Sequence, residues 1–551
     1  MRQRALSPPP LGPGRPNLVL SGCSGSGKTT VGRLAAQALG MPFLDLDQLI
    51  EARCGVSVEE IFRTRGERGF RRAEARILEE AARLSGTVIA SGGGAVLHPN
   101  AFAALARDAL VVVLSAEARE LRRRLARDRP RPLLLEVGVE TLLEQRATAY
   151  RAAGLVLDTT ALAPEQAASR VAELYRERVG RAEQSISIPS AGGSYPYLVG
   201  GAGRQGLASL LESQLPGTSK VVVVSDPAVA STAGKQLAGL LAGSGRRVLR
   251  VELPAGEAAK QLPALAALWA RLLELGVERQ DLLVAVGGGA TLDAAGFAAA
   301  TLGRGLPWVT APTTVLAMVD AAIGGKVAID HAGTKNSVGA FHPPLAVIID
   351  PAWLDTLDPD LRRDGLAEVV KSAVLASPSC LDLLADAPLG EGGIPSNLEW
   401  ATEQAVRVKA AYVGADPYDL DLRQALNLGH TYAHGLEVAS GYRLSHGRAV
   451  ALGLRAAAGL GTELGLTPAP LARRIGQVLK HLGLDHPVPP GLDHDAVLRA
   501  VEHDKKRRGH GVPFLVPAEL GAVLVEGLPL SRALEPLWSL DARPLAAASA
   551  R

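Results

Sequence analysis

The chain has 551 residues, of which 47% are hydrophobic and 21% are charged, and its formal net charge is +3. This composition is typical of folded globular domains and excludes a largely disordered chain. The length predicts three or four domains. The small net charge gives no reason to expect nucleic acid or a membrane surface as a partner. No apolar run approaches the roughly 18 residues of a membrane span, so none is predicted.

Three cysteines, Cys23, Cys54 and Cys380, are too few for a disulfide framework in a chain of this length. They suit a reducing compartment, and we therefore expect a cytoplasmic protein. Residues 1–16 are rich in proline and arginine and lack the apolar core of a signal peptide. We predict that they form a disordered tail.

The first strong motif is Gly-x-x-x-x-Gly-Lys-Thr, which follows the apolar residues 18–20 and precedes a helical stretch. Its backbone N–H groups and the start of the helix would surround a phosphate, and the alternative is a plain glycine-rich turn. Lys28 would reach the outer phosphates and Thr29 would hold Mg²⁺. The expected ATP contacts in the loop are Gly22, Gly25, Ser26, Gly27, Lys28, Thr29 and Thr30.

Strand and helix patterns alternate along the chain and predict an α/β protein. Strands are predicted at 18–20, 43–46, 88–90, 110–114 and 155–157, which indicates a P-loop domain with a parallel sheet over 17–177. After a predicted linker at 178–193, a Rossmann-like α/β lobe over 194–350 has strands at 221–225, 247–253, 282–286, 308–310 and 347–349. A mainly helical lobe follows over 351–551, with helices at 361–376, 400–413, 449–464 and 471–482.

Several short motifs follow the P-loop in a fixed order. They are Asp45-x-Asp47, Phe-Arg71-x-x-Glu, a triple glycine containing Gly93, Arg131-Pro-Leu-Leu and Arg146-x-x-x-Tyr. Each alone is equally a surface turn, an ion pair or a flexible loop. Together, over about residues 17–177, they resemble shikimate kinase.

That resemblance implies ATP-dependent phosphorylation of shikimate. Asp47, Arg71, Gly93 and Arg146 would bind shikimate, and Thr29 and Asp45 would hold Mg²⁺. Arg131 would come from a mobile lid and cover the ATP phosphates. The implied catalytic residues are Lys28, Asp45 and Arg131, in keeping with a reaction that depends on positioning and charge neutralisation.

A second constellation lies in the remaining two thirds of the chain. The strand at 282–286 runs into Gly287–Gly289, which permits close approach of a pyrophosphate. Lysines beside glycines at 326 and 335 suggest a phosphorylated substrate. His430, His434 and His446 cluster in a chain with 11 histidines, and with a carboxylate such as Glu368 they would suit Zn²⁺. A structural role is the alternative for any single histidine.

Residues 194–517 resemble 3-dehydroquinate synthase through the motifs at 365–371, 422–431 and 504–506. The resemblance implies NAD and a Zn²⁺ or Co²⁺ ion bound by Glu368, His430 and His446. The implied NAD contacts are Asp226, Glu257, Lys260, Gly288, Gly289, Asp293, Thr313, Thr314, Asp320, Lys335 and Thr356. The implied contacts to the heptulosonate phosphate are Arg304, Lys326, Asn336, Lys371, Lys409, Arg423, Asn427, Lys505 and Lys506.

The same resemblance implies a reaction in which NAD is recycled while phosphate is eliminated and a ring closes. Lys326, Lys371 and His434 would be catalytic, with Asp419 supporting His434. Asp419 stands where the family usually has Glu. Arg304 would reach the neighbouring subunit of a homodimer formed through the synthase part.

Other readings remain open at this point. The first domain could be another small-molecule kinase, such as a gluconate kinase, or a regulatory nucleotide sensor. The second part could be a related sugar-phosphate cyclase or a metal-dependent polyol dehydrogenase. Lys409 and Arg423 argue against both of the latter because they suit a substrate carboxylate.

Overall fold

The computed structural model describes residues 1–126, 138–179, 185–243, 245–508 and 512–540, without the side chains of 201–205 and 504–508. The chain forms two compact units. The P-loop unit comprises Pro13–Ala182 and Asp382–Ala387, and the large unit comprises Met1–Gly12, Glu183–Leu381 and Pro388–Arg551. The kinase-like sequence is therefore enclosed, in chain order, by two parts of the large unit.

The P-loop unit is built on a parallel five-stranded sheet in the order β3-β4-β2-β5-β6. The central strands are buried on both faces, as expected for a parallel sheet covered by helices. All five predicted strands are confirmed, and their bounds are β2 Asn17–Ser21, β3 Phe43–Asp45, β4 Val88–Ala90, β5 Ala109–Ser115 and β6 Leu155–Asp158.

Seven helices surround this sheet in the described part of the unit. Helix α1 packs with the last of them, α7, against strands β2 and β5 to form one core. The helices are α1 Lys28–Leu39, α2 Leu46–Cys54, α3 Val58–Ala81, α4 Pro99–Ala106, α5 Ala118–Leu125, α6 Val139–Ala153 and α7 Pro164–Val179. Each of the loops discussed below leaves the carboxyl end of a strand, where ligands bind in such folds.

The large unit contains a seven-stranded sheet in the order β10-β9-β11-β12-β15-β8-β7, parallel except for the edge hairpin β7–β8. The five strands predicted for the Rossmann-like lobe are all present. The bounds are β7 Ser185–Ser190, β8 Gly193–Val199, β9 Lys220–Ser225, β10 Arg247–Glu252, β11 Leu282–Gly287, β12 Trp308–Pro312 and β15 Val347–Ile349.

Between β12 and β15 the chain forms a separate hairpin of β13 Lys326–His331 and β14 Thr334–Phe341. Helices flank the seven-stranded sheet and bury the apolar faces of its strands. These are α8 Gly201–Gln214, α9 Pro227–Ala230, α10 Ala233–Ala242, α11 Leu262–Glu274 and α12 Gly289–Thr301.

The remainder of the large unit is mainly helical, as predicted for 351–551. Its helices are α13 Pro359–Asp364, α14 Leu366–Ala376, α15 Pro378–Ala385, α16 Leu398–Ala415, α17 His430–Ala439, α18 His446–Glu463, α19 Ala469–His481, α20 His494–Arg508 and α21 Leu530–Trp538. The end of α15 is grouped with the P-loop unit.

The prediction of a disordered tail over residues 1–16 is wrong for its first part. Strand β1, Arg2–Leu6, pairs antiparallel with β17, Ala522–Glu526, which also pairs with β16, Phe514–Pro517. Leu6 is buried. Two nitrogens of the Arg407 guanidinium, Nε and Nη2, donate to the carbonyl of Gly12. Strand β1 could not be recognised from the sequence, because four of its five residues face solvent. The segment therefore lacks the alternation of apolar and polar residues that marks a half-buried strand.

The predicted linker over 178–193 is also wrong in part, since residues 185–190 form β7 of the large sheet. Proline and glycine in this segment mark the edge strand and its turn to β8, positions where both residues are tolerated. Residues 180–184 lie outside the described part of the chain. Among the described helices, none is long and apolar enough to cross a bilayer.

Candidate functional sites

The phosphate loop has the backbone that its sequence predicts. Gly22, Gly25 and Gly27 have φ values of 133°, 83° and 95°, which only glycine adopts readily. A Cβ on Gly22 would lie 2.3 Å from the carbonyl oxygen of Leu114. The end of strand β5 therefore contacts the loop so closely that only glycine fits at position 22.

Lys28 and Thr29 begin helix α1, directly behind the loop. Lys28 Nζ donates to the carbonyl oxygens of Gly22 and Cys23 at 2.8 and 3.0 Å, and so curls over the loop. Thr29 Oγ1 donates to Asp45 Oδ2 at 2.6 Å. The other oxygen of Asp45 accepts from the backbone of Asp47 and Gln48 and caps α2. Asp45 is thus fixed with one oxygen directed at Thr29, as a shared Mg²⁺ site requires.

A cavity of about 620 Å³ opens in front of this loop. Arg124 lines it and is anchored by bonds from its guanidinium to the carbonyl and hydroxyl of Thr159. Neither residue belongs to a motif, and an arginine in the run 122–124 has the pattern of a solvent-exposed helix face. The predicted site residues that also line this cavity are Gly25, Ser26, Gly27, Lys28, Thr29, Thr30, Asp45 and Asp47.

The triple glycine at 92–94 brings the predicted shikimate residues together. A Cβ on Gly92 would lie 2.7 Å from Asp47 Oδ1, and a Cβ on Gly94 would lie 1.9 Å from Arg71 Nη1. Arg146 Nη1 donates to the carbonyl of Gly93 at 2.8 Å. Asp47, Arg71, Gly93 and Arg146 therefore surround one space, although they are distant in sequence.

Glu74 and His98 organise Arg71 and were not predicted as site residues. Arg71 Nη1 donates to Glu74 Oε2 at 2.6 Å, and the His98 Nε2 atom lies 2.9 Å from the same oxygen. Burial works to lower the pKa of Arg71, but Glu74 and Glu67 outweigh it and raise the pKa. The second oxygen of Glu74 is buried and has no hydrogen-bond partner among the described residues. It faces Gly92 and so points into the space between the predicted ligands.

Tyr150 adds a second donor to the Gly93 carbonyl, at 2.6 Å. Burial raises the pKa of Tyr150 to about 12, so the phenol keeps its proton and remains a donor at neutral pH. Arg131, the predicted lid residue, lies outside the described residues.

In the large unit, the predicted metal ligands converge. Glu368, His430 and His446 offer ligand atoms that all lie within 4.8 Å of one another. Glu368 Oε1 lies 3.4 Å from His430 Nε2 and 3.6 Å from His446 Nε2. That oxygen is buried and accepts no hydrogen bond from any described residue. One carboxylate and two imidazoles around an unsatisfied buried oxygen fit Zn²⁺ or Co²⁺.

The surroundings favour the metal-binding protonation states of Glu368 and His430, but not that of His446. Burial works to raise the pKa of Glu368, but Lys371 and His430 outweigh it and lower the pKa to about 2. Burial, reinforced by Lys371, lowers the pKa of His430 to about 3. Burial works to lower the pKa of His446, but the carboxylates of Glu368 and Glu437 outweigh it and raise the pKa to about 10. A metal ion must therefore displace a proton from His446 when it binds. Lys371 Nζ contacts Glu368 Oε2, so this predicted substrate residue is paired with a metal ligand.

His446 is oriented by a carboxylate that the sequence analysis missed. Its Nδ1 lies 3.2 Å from Glu437 Oε1, which leaves Nε2 directed at Glu368. Such carboxylate–histidine pairs commonly fix the tautomer of a metal ligand. Glu437 lies nine residues before His446 on α17, and no motif marks it.

Three of the predicted NAD residues, Asp226, Thr313 and Thr314, lie against the glycine turn after β11. Asp226 Oδ2 would lie 2.9 Å from a Cβ on Gly287, and it accepts a bond from Thr291. The backbone N–H of Thr313 donates to the Gly287 carbonyl. Thr314 lies 3.5 Å from the Cβ position of Gly288. Gly288 and Gly289 begin α12, whose amino end can receive a pyrophosphate.

Acid–base pairs link most of the remaining predicted residues. Lys260 Nζ donates to Asp293 Oδ2 at 2.7 Å and also contacts Asn336. Lys335 Nζ lies 3.3 Å from Glu257 Oε1. Burial raises the pKa of Asp293 to about 6, against the opposing effect of Lys260.

Lys409 and Arg423 lie deeper in the unit. Lys409 Nζ donates to Asp320 Oδ1 at 2.6 Å and to the Asp320 carbonyl. Burial lowers the pKa of Lys409 to about 8, with Asp320 opposing the shift. Burial also lowers the pKa of Arg423, whose guanidinium occupies the space where Gly324 would carry a Cβ.

Several predicted residues are not in this cluster of contacts. Thr356 lines a cavity of about 440 Å³ with Trp353 and Lys235, and none of the other predicted NAD residues lines that cavity. Asp419 contacts Lys326, which is a different partner from the predicted His434. Arg304 is exposed, with a left-handed backbone at φ 66°. Asn427 ends the turn before His430, and the side chains of Lys505 and Lys506 are not described.

Comparisons with known proteins give three family matches along the chain. The profile described as shikimate kinase matches residues 24–176. The profiles described as 3-dehydroquinate synthase N-terminal and C-terminal match residues 250–363 and 365–507.

The large unit also resembles individual proteins. The 3-dehydroquinate synthase of Mycobacterium leprae (strain TN) is 40% identical over 329 residues, covering 58% of this chain and 88% of that protein. A 2-epi-valiolone synthase of Actinosynnema mirum is 38% identical over 315 residues, covering 56% and 81%. A solved 2-epi-5-epi-valiolone synthase from Streptomyces hygroscopicus subsp. jinggangensis 5008, with NAD⁺ and Zn²⁺ bound, is 28% identical with a TM-score of 0.56, covering 64% and 98%.

Proposed function

We infer that this chain, which belongs to the 3-dehydroquinate synthase family and carries a shikimate kinase domain before it, is a bifunctional enzyme of the shikimate pathway. One activity phosphorylates shikimate with ATP. The other converts 3-deoxy-D-arabino-heptulosonate 7-phosphate to 3-dehydroquinate and phosphate. The observation that supports this proposal is that Asp47, Arg71, Gly93 and Arg146 surround one space in the P-loop unit, while Glu368, His430 and His446 converge in the large unit.

In the kinase, the loop glycines and the start of α1 would bind the ATP phosphates. The Thr29–Asp45 pair would hold Mg²⁺ between a hydroxyl and a carboxylate that is already fixed by its capping bonds. Lys28 would leave the loop carbonyls and reach the transferred phosphoryl group. Arg131 would complete the charge neutralisation from the lid.

Shikimate would bind between the triple glycine and the side chains of Asp47, Arg71 and Arg146. The two guanidinium groups suit its carboxylate, because an arginine fork binds a carboxylate through two parallel hydrogen bonds. Asp47 would accept from the hydroxyl that is phosphorylated. Gly92 and Gly94 leave the space that a ring needs beside Asp47 and Arg71.

The kinase assignment is tested with Arg71→Met against Arg72→Met, its exposed neighbour on α3. We expect the KM for shikimate to rise about 10- to 100-fold in Arg71→Met, since one charge-assisted contact is lost. The KM for ATP and the Arg72→Met control should stay near wild type. An unchanged KM for shikimate in Arg71→Met would remove this residue from the site.

In the synthase, Glu368, His430 and His446 would hold Zn²⁺ or Co²⁺, and α12 with its glycine turn would receive NAD. The metal supplies Lewis-acid polarisation of a substrate hydroxyl, and NAD accepts and returns one hydride. Glu437 keeps His446 in the tautomer that presents Nε2. His434, near His430 at a ring separation of 5.6 Å, would move protons, with Asp419 as the expected support.

The heptulosonate phosphate would be held by lysine, arginine and asparagine side chains of this unit. Lys409 and Arg423 would bind its carboxylate, replacing the Asp320 carboxylate that now pairs with Lys409. Lys326, Lys371, Asn336, Asn427 and Lys505 or Lys506 would bind hydroxyls and phosphate. The NAD contacts implied by the family resemblance include Asp226, Lys260 and Asp293.

A related sugar-phosphate cyclase is the second candidate for the large unit, because a 2-epi-valiolone synthase is nearly as similar as the dehydroquinate synthases. The buried Lys409 and Arg423 favour a substrate with a carboxylate. The two candidates separate when phosphate release is measured with heptulosonate 7-phosphate and with a seven-carbon ketose phosphate that lacks the carboxylate. Preference for the second substrate would reject the dehydroquinate synthase assignment.

The metal requirement is tested on the same reaction. Phosphate release should vanish after treatment with a chelator and return on addition of Zn²⁺ or Co²⁺. ADP formation by the kinase, measured in the same sample with Mg²⁺ restored, provides the control. Release that persists after thorough removal of the metal would contradict the assigned ligands.

We also propose a homodimer in which the exposed Arg304 reaches the phosphate site of the partner. Light scattering would give the mass of the assembly. Mixing Arg304→Ala with Lys371→Met would test the reach of Arg304, because one of the hybrid sites regains both residues. Failure of the mixture to recover activity from a dimeric sample would place Arg304 in its own subunit's site or in none.

A further inference from the structure

Helix α18 begins at the metal ligand His446, yet its first turn is capped by a residue from elsewhere in the chain. The first N–H groups of a helix have no partner within the helix. Ser445 stands at the usual capping position, but its side chain makes no capping bond. The carboxylate of Asp364, some eighty residues earlier in the sequence, takes this role.

Asp364 uses both of its oxygens. Oδ2 accepts from the backbone N–H of Gly447 at 3.0 Å, and Oδ1 accepts from the backbone N–H of Arg448 at 3.1 Å. Oδ1 also accepts from the hydroxyl of Ser445. The groups bonded to Asp364 thus lie on both sides of His446 and leave its imidazole free to face the metal site.

The backbone is also closely packed where the end of α13 meets the start of α18. A Cβ on Gly447 would lie 1.9 Å from the carbonyl oxygen of Asp364. A Cβ on Gly365 would lie 2.5 Å from the backbone nitrogen of Leu316. Neither segment can shift without losing these contacts, so the position of Asp364 fixes the position of the start of α18.

Asp364 also lies one helical turn before Glu368. It ends α13, and α14, which carries Glu368, begins two residues later. The same short segment therefore carries one metal ligand and holds the helix end that carries another. Glu437 acts on the ring of His446, whereas Asp364 acts on its backbone.

We propose that Asp364 is a positioning residue of the metal centre, which sets the distance between His446 Nε2 and Glu368 by capping α18 from the end of α13. The proposal rests on the proposed ligands Glu368, His430 and His446. It requires that weakening the cap lowers the metal affinity without unfolding α18. Groups that support metal ligands from outside typically change metal affinity about 10- to 100-fold when altered.

The test titrates Co²⁺ into the metal-free full-length chain and follows the visible absorption of the bound ion. Asp364→Asn replaces one accepting oxygen by an NH₂ group, which cannot accept from Gly447 or Arg448. We expect its Kd for Co²⁺ to rise about tenfold or more, with an altered absorption spectrum. Asp355→Asn, the same change at an exposed position before α13, is the matched control and should match wild type.

NAD binding and thermal unfolding of the metal-free proteins show whether each variant is folded. If Asp364→Asn is folded and has the Kd and spectrum of wild type, the proposal is overturned. If it does not fold, Ser445→Ala decides, since it removes only the hydroxyl bond. A weaker Co²⁺ affinity in Ser445→Ala then supports the proposal, and an unchanged affinity overturns it. Wild type that binds no Co²⁺ would instead reject the three ligands themselves.

Discussion

The kinase site combines aspartates and glycines that follow strands of one parallel sheet with arginines from two helices, whereas the metal site takes all three of its ligands from the starts of helices. In the P-loop unit, glycines at 22 and 92–94 bring backbone and side chains together, and the predicted shikimate residues Asp47 and Arg71 remain half-buried. In the large unit, Glu368 and Lys371 are almost fully buried and pair with each other.

This difference shows two ways to prepare a site for an anionic substrate. The kinase presents arginines, whose charge does not depend on pH in the physiological range. The synthase buries a lysine and several carboxylates against each other, and burial shifts the pKa of Lys409 and Asp293 towards neutrality. The first site should therefore be sensitive to loss of space, and the second to loss of charge or to pH.

Among these variants, Glu368→Gln is expected to give the largest difference between the synthase activity and the kinase activity. The change removes the carboxylate that lies beside both imidazoles and leaves the buried Lys371 without its counter-ion. We expect phosphate release by the synthase to fall at least about a hundredfold, while ADP formation with shikimate stays unchanged. Both rates are measured on one preparation, and a synthase rate within threefold of wild type would contradict the ligand role.

The converse change is Gly22→Ala in the kinase. The added Cβ meets the Leu114 carbonyl at a backbone φ of 133°, so the loop must move. We expect a loss of about a hundredfold in ATP turnover, comparable to the largest effects of misplaced catalytic groups. Phosphate release by the synthase should not change.

Gly22→Ala can lower ATP turnover through backbone strain or through the contact with Leu114. Gly40→Ala tests the backbone strain alone. Gly40 also has a positive φ, but a Cβ there meets nothing within 4 Å. It should cost only about 1 kcal/mol of stability from backbone strain, with little change in ATP turnover. Equal losses in both variants would show that backbone strain, and not the contact with Leu114, limits the loop.

The pH dependence of substrate binding should also distinguish the sites. Because the pKa of Lys409 is lowered to about 8, the ammonium loses its proton above that pH and can no longer attract a carboxylate. The KM for heptulosonate phosphate should rise about tenfold per unit above pH 8. Lys409→Arg should remove this rise, and the KM for shikimate should not show it. A flat profile in wild type would exclude Lys409 as the carboxylate ligand.

The smallest expected effect is Leu6→Ala, which tests whether residues 1–12 stabilise the large unit. Leu6 is buried where β1 pairs with β17, so truncation should lower the free energy of unfolding by about 2 kcal/mol. Calorimetry should show a lower transition for the large unit and an unchanged one for the P-loop unit. Arg2→Ala, exposed on the same strand, is the control. Equal shifts of both transitions would contradict the assignment of this strand to the large unit.

The sequence was sufficient for most of the fold and for the residue types at both sites. Buried parallel strands leave continuous apolar runs, so all five strands of the P-loop unit's sheet and five of the seven strands of the large unit's sheet were predicted within one or two residues. The P-loop and the His430–His446 cluster were recognisable because their spacing is short and their residue types are specific to their chemistry. Glu74 lies in the Phe-Arg71-x-x-Glu motif, but its role in holding Arg71 follows only from the structure. His98 and Glu437 could not be predicted, since each is a single polar residue with no motif around it.

What the sequence alone determined is therefore local: which segments are strands and helices, where glycine must stand, and which side chains are suited to phosphate or metal. Only the tertiary structure decided which distant segments meet. The pairing of β1 with β17 joins residues at opposite ends of the chain, and the capping of α18 by Asp364 joins two helices that share no motif. The reason is physical. Side-chain periodicity records the environment of a segment, but every residue except proline offers the same backbone N–H group, so a hydrogen bond to the backbone carries no trace of its partner in the sequence.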